Sequence, residues 1–386
     1  MKKRKVLFAS FDKIPSPKGA GVHISQFVEE ISSHYETSII TPAAENDIAE
    51  YLGARHFKIA IEGKNFLKDA ETFQRAVSRL LEQNRFDVVH FRSIWEGMAV
   101  ILHKKVQKYK TIYEVNGLPS VELRYHYPGI MKNKPLIEKF STLETALLIE
   151  SDAIIVPSNI TKKFLLEKGA LERKIRLIPN GVDLALFKPT PKLPSPPVRF
   201  IYIGTFAPWQ GLEHLLEAFK RASRTCDIRL TIMGKSRKDW LKSLTKTARK
   251  LKIYELVEFE EAVNHHKVPL ILNLHHVGVA PFTATERNIK QGFCPIKVLE
   301  YMACGLAVIA SDLPAVRELA EHEKEAVLYK PNNTNRLADA ILRIAHDDEL
   351  RVHLAMAGVQ RARNFSWKNS RRKLIAIYEK LISTFS

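Results

Sequence analysis

Lys297 and Glu300 are the residues whose types and spacing most clearly predict chemistry. They lie in the segment GFCPIKVLEYMACGLAVIASDLPAVREL, whose pattern predicts a loop, a helix, a buried strand and a second loop. Pro295 suits the first position of that helix, where free backbone amides attract an anion. A cation in the first turn opposes the helix dipole, so Lys297 is best explained by a negatively charged ligand, while Glu300 could accept hydrogen bonds from ribose hydroxyls. The alternative is a solvated helix face without a ligand.

A glycine-containing segment near the start of the chain, PKGAGVH at residues 17–23, could also approach a phosphate or a sugar. It places Gly19 and Gly21 between a predicted first strand and a helix, and glycine lets the backbone come close to a ligand. The spacing does not match GxGxxG, which argues against a nicotinamide enzyme. His23 is the histidine in this candidate loop, and an ordinary turn is the alternative.

A second glycine-containing segment, YIGTFAPWQGLEHLLEAF, repeats the order of strand, turn and helix. Gly204 precedes a loop in which Thr205 and Gln210 could donate hydrogen bonds to a diphosphate. Trp209 is expected to pack within the loop. An ordinary connection between a strand and a helix is again the alternative.

The histidines and cysteines do not predict a metal site. His265–His266 and His275–His276 are ten residues apart, and neither pair has the i, i+4 spacing of ligands on one helix face. Cys226, Cys294 and Cys304 form no CxxC pair and no disulfide framework, so a reducing cytoplasm is the expected setting.

The elements that must position these residues follow a regular alternation. Short apolar runs such as VLFAS and DVVHF alternate with amphipathic stretches, which predicts parallel sheets with helical crossovers. The 386 residues suggest two domains, and prolines are dense between Phe187 and Phe200. We therefore predict a domain at 1–188, a proline-rich linker at 189–197, a domain at 198–365 and a final helical segment at 366–386. Ligands of such sheets bind beyond the carboxyl ends of the strands.

The charge of the chain favours anionic partners. The 60 basic and 42 acidic side chains give a net charge of +18, which suits nucleotides, anionic lipid surfaces or nucleic acid. We expect no nucleic-acid partner, because the sequence contains no recognisable nucleic-acid module or aromatic-basic stripe. The first apolar run is too short for a secretory signal, and no window approaches the ~20 apolar residues of a membrane span. A cytoplasmic protein, with peripheral contact to an anionic membrane, is the expectation.

Taken together, these motifs resemble the retaining, family-4-type glycosyltransferases of the glycosyltransferase group 1 superfamily over nearly the whole chain. The matching segments are SDAIIVPSNITKKFLLEKGALERKIRLIPNGVDLALFKP, YIGTFAPWQG, VEFEEAVNHHKVPLILNLHHVGVAPF and PIKVLEYMACGLAVIASDLPAVREL. The resemblance implies an α/β GT-B fold, with two doubly wound Rossmann-like domains facing a central cleft and a C-terminal helix returning to the N-terminal domain. It implies transfer of a sugar from a nucleotide diphosphate sugar to a glycan, lipid-linked or small-molecule acceptor, with retention of anomeric configuration and no cofactor or metal.

The resemblance also implies roles for individual residues. The implied donor-binding residues are Gly19, Gly21, Gly204, Thr205, Gln210, Phe293, Cys294, Pro295, Ile296, Lys297 and Glu300. The implied catalytic residues are Lys297, Gln210, Asn116 and His23.

The chain departs from the family pattern at several of these positions. Gly292 stands where a first glutamate is usual, eight residues before Glu300, and Asn116 stands where a histidine is common. The usual Arg and Lys that grip the diphosphate are replaced by Thr205 and Gln210. The compensating positive charge could come from Lys297, Lys290 or Arg287. These departures leave two other functions open: a non-catalytic binding or scaffold protein with a degenerate GT-B fold, and a nucleotide-sugar epimerase.

Overall fold

The computed structural model of the protein describes residues 3–16, 18–191, 193, 195–235 and 238–385. Contacts divide the chain into two units, and each is built around its own sheet. The first unit contains residues 3–16, Ala20–Pro179 and residues 370–385, and the second contains residues 18–19 and Asn180–Asn369. The predicted α/β class, with two Rossmann-like units, is confirmed.

The sheet of the first unit is parallel except at one edge. Its strands are β1 (Lys5–Ala9), β2 (Glu36–Ala43), β3 (Asp47–Tyr51), β4 (Ala54–Ala60), β5 (Val88–Phe91), β6 (Lys110–Glu114), β7 (Ala153–Val156) and β8 (Ile175–Leu177). The described strands lie in the order β3-β4-β2-β1-β5-β6-β7-β8, and β3 pairs antiparallel with β4. The central strands are apolar throughout because helices cover both faces of a parallel sheet. After β1 the chain adds β2 to β4 on one side of this strand and then β5 to β8 on its other side. A topological switch point therefore lies between β1 and β5.

Side chains cap the starts of several helices of the first unit. The helices are α1 (Gly19–His34), α2 (Phe66–Gln83), α3 (Ile94–Gln107), α4 (Pro119–His126), α5 (Lys134–Glu150) and α6 (Asn159–Glu167). Asn65 caps α2 by accepting hydrogen bonds from two backbone amides of the first turn. Ser93 and Glu96 form a capping box at the start of α3.

The start of α1 differs from the prediction of a glycine loop. Gly19 and Gly21 are the first and third residues of the helix, and His23 lies in its second turn. A Cβ atom at Gly21 would lie 2.3 Å from the carbonyl oxygen of Ser16, so the glycine permits close packing of the preceding chain on the helix. The predicted loop at this place is therefore wrong, although a helix N-terminus still offers free amides.

The second unit has a smaller, parallel sheet. Its strands are β9 (Val198–Ile203), β10 (Ile228–Gly234), β11 (Val257–Glu261), β12 (Val277–Ala280), β13 (Ala307–Ser311) and β14 (Val327–Tyr329). Its helices are α7 (Leu212–Ala222), α8 (Lys238–Lys250), α9 (Val268–Leu272), α10 (Ile296–Ala303), α11 (Pro314–Arg317), α12 (Thr334–His346) and α13 (Asp348–Ala362). The described strands lie in the order β11-β10-β9-β12-β13-β14. The switch point of this sheet is between β9 and β12.

The division between the units precedes the predicted proline-rich linker. Asn180 already belongs to the second unit, where its side-chain amide donates to the carbonyl oxygen of Cys294 at 2.6 Å. The segment 189–197, of which residues 192 and 194 lie outside the described residues, is bonded to the same unit. The amide of Thr190 donates to Asn273 at 3.2 Å, and Ser195 accepts from Arg351 at 3.2 Å. Polar side chains therefore fix this segment, which proline content alone predicted to be a connector.

The last helix, α14 (Trp367–Ile382), supplies residues to the first unit. Leu374 and Tyr378 are fully buried there, and the Tyr378 hydroxyl lies 2.8 Å from Nδ1 of His90. Arg371, the first of three consecutive basic residues at 371–373, forms ion pairs with Glu29 and Glu30 of α1. Among the described residues, no helix is both long enough and apolar enough to cross a bilayer.

Candidate functional site

Lys297 occupies the switch point of the second unit. Helix α10 begins at Ile296, so Pro295 is its N-cap rather than its first residue, and Lys297 is the second residue of the helix. The Nζ atom donates to Oε1 of Gln210 at 2.8 Å and lies 3.9 Å from the centre of the Tyr202 ring. The helix start thus directs a cation toward the end of β9.

The surroundings of Lys297 disfavour its charge. Burial lowers the pKa of its ammonium group well below 10.5, and the opposing effect of Glu300 does not restore it. Among the ion pairs between described residues, none includes Lys297, whose near neighbours are the aromatic faces of Tyr202 and Phe282 and the Gln210 amide. An anion placed here would recover the free energy that the charge loses on burial. These surroundings argue against a merely solvated helix face.

The loop after β9 holds Gln210 against Lys297. Gly204 has φ +149, and a Cβ atom there would lie 2.6 Å from the Lys297 Nζ atom. Gly211 has φ +70, and a Cβ atom there would lie 1.9 Å from the carbonyl oxygen of Pro281. The oxygen of the Gln210 amide accepts from Lys297, so its nitrogen is the group that can donate to a ligand.

Thr205 contributes to this loop through its main chain. Its carbonyl oxygen lies 2.8 Å from the hydroxyl of Tyr202, which is also 3.1 Å from Oε1 of Gln210. The Tyr202 hydroxyl therefore holds this loop in place through hydrogen bonds to Thr205 and Gln210. The Tyr202 side chain is buried, and burial raises the pKa of its phenol well above 10.0, so the hydroxyl remains a donor.

The segment before α10 is a single π-helical turn, Arg287–Gln291, that ends at Gly292 with φ +77. The Arg287 guanidinium lies near two rings, 5.4 Å from the centre of Trp209 and 5.5 Å from that of Phe293. Trp209 is 8% exposed and packs within the loop, as predicted. These two aromatic contacts hold Arg287 near the start of α10.

Cys294 offers a ligand only its main chain. The thiol is buried, and burial raises its pKa to about 12, so it stays protonated and unreactive. Its carbonyl oxygen already accepts from Asn180. Phe293 packs edge-on against Phe282, with ring centres 4.9 Å apart.

Glu300 is buried and has a partner that the sequence did not suggest. The residue is 6% exposed, and its Oε1 atom lies 2.6 Å from Nε2 of His265. His265 belongs to the short turn His265–Lys267 after β11. The two residues are 35 positions apart and share no helix or strand, so no local pattern could reveal the pair.

A second polar cluster lies in the first unit, beside the switch point between β1 and β5. Glu114, the last residue of β6, is 1% exposed and is surrounded by donors. Its carboxylate lies 3.0 Å from Nε2 of His23 and 3.2 Å from Nε2 of His90. It also accepts from Nε of Arg92 at 2.8 Å and from the amide of Asn116.

The cluster keeps Glu114 ionised. Burial alone would raise the pKa of its carboxyl group, but the charges of His23 and Arg92 outweigh burial and hold the pKa well below 4.5. Burial lowers the pKa of His90. A carboxylate only accepts hydrogen bonds, so the nitrogen of Asn116 must face Glu114 and its oxygen must face away. Asn116 therefore presents a hydrogen-bond acceptor.

The structure thus brings the predicted residues together in two groups, one in each unit. Lys297, Gln210 and Gly204 meet in the second unit, and His23 and Asn116 meet in the first. Sequence reasoning missed the central carboxylate of the first group. A signal was present, because Glu114 is a charged residue within the apolar run TIYEV, and a buried carboxylate requires partners.

His275 and His276, the second of the two histidine pairs, form hydrogen bonds within the second unit. His275 lies 2.9 Å from the hydroxyl of Thr231, and His276 lies 2.7 Å from the carbonyl oxygen of Leu193. Across the described part of the chain, no three side chains of the metal-binding types converge on one point.

Comparison with known proteins covers nearly the whole chain. Residues 186–361 match the family model described as glycosyl transferases group 1, and residues 17–186 match the model described as Glycosyltransferase Family 4. Phosphatidyl-myo-inositol mannosyltransferase of Mycolicibacterium smegmatis is 24% identical over 376 residues, covering 94% of this chain and 90% of that protein. The protein of the same name from Mycobacterium leprae is 25% identical over 393 residues, covering 96% of this chain and 95% of that protein.

Solved structures share the fold. Sucrose-phosphate synthase of Thermosynechococcus elongatus superposes with a TM-score of 0.84 at 19% identity, covering 99% of this chain and 100% of that one. HepE of Anabaena, solved with UDP and glucose, superposes with a TM-score of 0.77 at 14% identity, covering 98% of this chain and 100% of that one. The two family models meet at residue 186, each over one part of the chain, and the neighbours have the GT-B architecture. The chain belongs to the GT-B glycosyltransferases, with a family 4 region followed by a group 1 region.

Proposed function

We propose that the protein transfers a sugar from a nucleoside diphosphate sugar to an acceptor hydroxyl with retention of anomeric configuration. The observation that carries the proposal is the environment of Lys297, a cation at the start of α10 whose neighbours are aromatic faces and an amide. A diphosphate is an anion of suitable charge for a helix N-terminus and an ammonium group together.

On the donor side, the diphosphate leaves as the bond to the sugar breaks. Negative charge then develops on the phosphate next to the sugar, and stabilising that charge lowers the barrier. Lys297, the amides at the start of α10 and the Gln210 nitrogen supply this stabilisation. Glu300 accepts from the ribose hydroxyls. Because Lys297 provides positive charge at the phosphates, we propose that the transfer needs no divalent metal.

On the acceptor side, retention follows if the hydroxyl attacks from the face that the diphosphate leaves. The departing phosphate takes the acceptor proton, so no enzyme nucleophile is required. The outward oxygen of Asn116 accepts from a sugar hydroxyl. His23 is 3% exposed. We therefore propose that it does not touch the substrate but contacts Glu114, which in turn accepts a hydrogen bond from Asn116.

The relatives suggest which substrates to test first. HepE was solved with UDP and glucose, and the two mycobacterial relatives are named for transfer of mannose to phosphatidyl-myo-inositol. UDP-sugars are therefore the first donors to test, followed by other nucleoside diphosphate sugars, and glycan, lipid-linked and small-molecule hydroxyls are the acceptors. The net charge of +18 supports peripheral contact with anionic membrane. Equal sedimentation with anionic and neutral liposomes would contradict that contact.

A thermal-shift screen with UDP, GDP, ADP and their sugars tests donor binding, since a ligand that binds only the folded state raises the melting temperature. The best donor is then incubated with acceptors, with and without EDTA, and the anomeric configuration of the product is read by NMR. The proposal expects one donor to stabilise the protein and a product of retained configuration in EDTA. Binding without turnover would favour a scaffold, and a new sugar without any acceptor would favour an epimerase. An inverted product would contradict retention.

A further inference from the structure

The pair formed by His265 and Glu300 fixes the carboxylate from one side. Glu300 is 6% exposed, and a carboxylate so enclosed must be hydrogen-bonded. Nε2 of His265 lies 2.6 Å from its Oε1 atom. A carboxylate can only accept, so the proton of this bond is on His265 Nε2.

His265 is itself held in place. Its ring packs on Phe187 with ring centres 5.2 Å apart, and it lies in the short turn His265–Lys267. A ring that contacts an aromatic face and donates one hydrogen bond has little rotational freedom. The bond therefore restricts the rotation of the Glu300 carboxylate and determines where its second oxygen points.

We propose that His265 is a positioning residue that sets the orientation in which Glu300 receives ribose hydroxyls, and so determines the preference for ribose over deoxyribose nucleotides. The proposal rests on the proposed function, in which Glu300 binds ribose. His265 need not touch the ligand, because it acts through Glu300. In the opposite case, the hydrogen bond from His265 would block the Glu300 carboxylate and so compete with the ribose hydroxyls.

The test compares the affinities of UDP and GDP with those of their 2′-deoxy forms, by calorimetry on the full chain. A carboxylate that accepts from a hydroxyl forms a charged hydrogen bond, so wild type should prefer the ribose form by about tenfold or more. His265→Leu removes the donor and should abolish most of this preference while changing the affinity of the deoxy form little. His265→Gln keeps an N–H donor and should retain part of the preference.

Three controls separate positioning from a merely structural role. His266→Leu changes the exposed neighbour in the same turn and should leave the ratio of the two affinities unchanged. The melting temperature of each ligand-free variant shows whether folding is affected. The effects of His265→Leu and Glu300→Gln should not add in the double variant, because both act on one hydrogen bond.

The outcomes also distinguish this proposal from the function on which it rests. If no nucleoside diphosphate binds wild type, the proposed function fails and the role of His265 fails with it. If wild type binds and prefers ribose but His265→Leu leaves that preference intact, the positioning role alone is wrong. A stronger preference for ribose in His265→Leu would show competition and would also overturn the proposal.

Discussion

Replacement of Lys297 by methionine should separate binding from stability. Methionine keeps an unbranched apolar chain against Tyr202 and Phe282 but removes the ammonium group. Replacing a partly buried cation by an apolar side chain of similar volume removes the cost of desolvating the charge, so the free energy of unfolding should equal or exceed that of wild type. The same change should weaken binding of a nucleoside diphosphate.

The loss of affinity can be derived from the contact that disappears. A hydrogen bond to a charged group contributes about 1.5–3 kcal/mol, and 1.4 kcal/mol corresponds to a factor of ten, so Kd should rise by about 10- to 150-fold. Lys246→Met is a matched control, because this exposed lysine lies on α8 of the same unit. Calorimetry with UDP and GDP measures the change, and urea denaturation measures stability.

The pH dependence gives a second, independent outcome. The pKa of Lys297 is lowered in the ligand-free protein, mainly by burial, and a bound diphosphate should raise it. Between these two pKa values binding takes up a proton, so affinity should fall as the pH rises through that interval. Calorimetry in two buffers of different ionisation enthalpy detects the proton, and Lys297→Met should lack it. An affinity within twofold of wild type, with unchanged proton uptake, would refute this account of the site.

The remaining predictions concern stability. Glu114→Gln should lower the free energy of unfolding by about 1.5–3 kcal/mol in urea denaturation, because the buried Arg92 would lose the Glu114 carboxylate and keep only that of Asp12; a loss no larger than that of the exposed Glu36→Gln would contradict this. Burial lowers the pKa of His56 to about 4, so the unfolded chain binds the extra proton below pH ~6.5 and stability falls with falling pH. The difference in unfolding free energy between wild type and His56→Gln should therefore decrease by up to about 3 kcal/mol from pH 7.5 to pH 4, and a constant difference would be inconsistent with a lowered pKa. Gly211→Ala should lower the melting temperature measured by calorimetry, because a Cβ atom would lie 1.9 Å from the Pro281 carbonyl oxygen at φ +70, and an unchanged melting temperature would show that the loop can shift freely.

The alternation of apolar runs and amphipathic stretches was sufficient to predict both sheets. It succeeds because the strands of a covered parallel sheet are apolar on both faces and the crossover helices are apolar on one. The helices at Asn159–Glu167 and Lys238–Lys250 are amphipathic stretches of this kind. The antiparallel strand β3 and helix α4 were not predicted, because neither has a strong apolar period.

The polar contacts between distant segments were less accessible from sequence. Proline density indicated a semi-rigid connector at 189–197, but the bond from Asn180 to Cys294 joins residues 114 positions apart, and the chain already belongs to the second unit at Asn180. The pair of His265 and Glu300 depends in the same way on how β11 and α10 are placed by the sheet. Local pattern predicts elements, whereas such pairs depend on register and packing between elements.

The position of α14 has a consequence for synthesis on the ribosome. The second unit is nearly continuous in the chain, so its residues are all available before most of α14 is synthesised. The first unit, although its strands are made first, receives the fully buried Tyr378 only from the last residues. Until α14 is synthesised, His90 lacks its contact with the Tyr378 hydroxyl. The unit that starts first is therefore the one completed last, and a nascent chain halted before α14 would expose the surface that this helix covers.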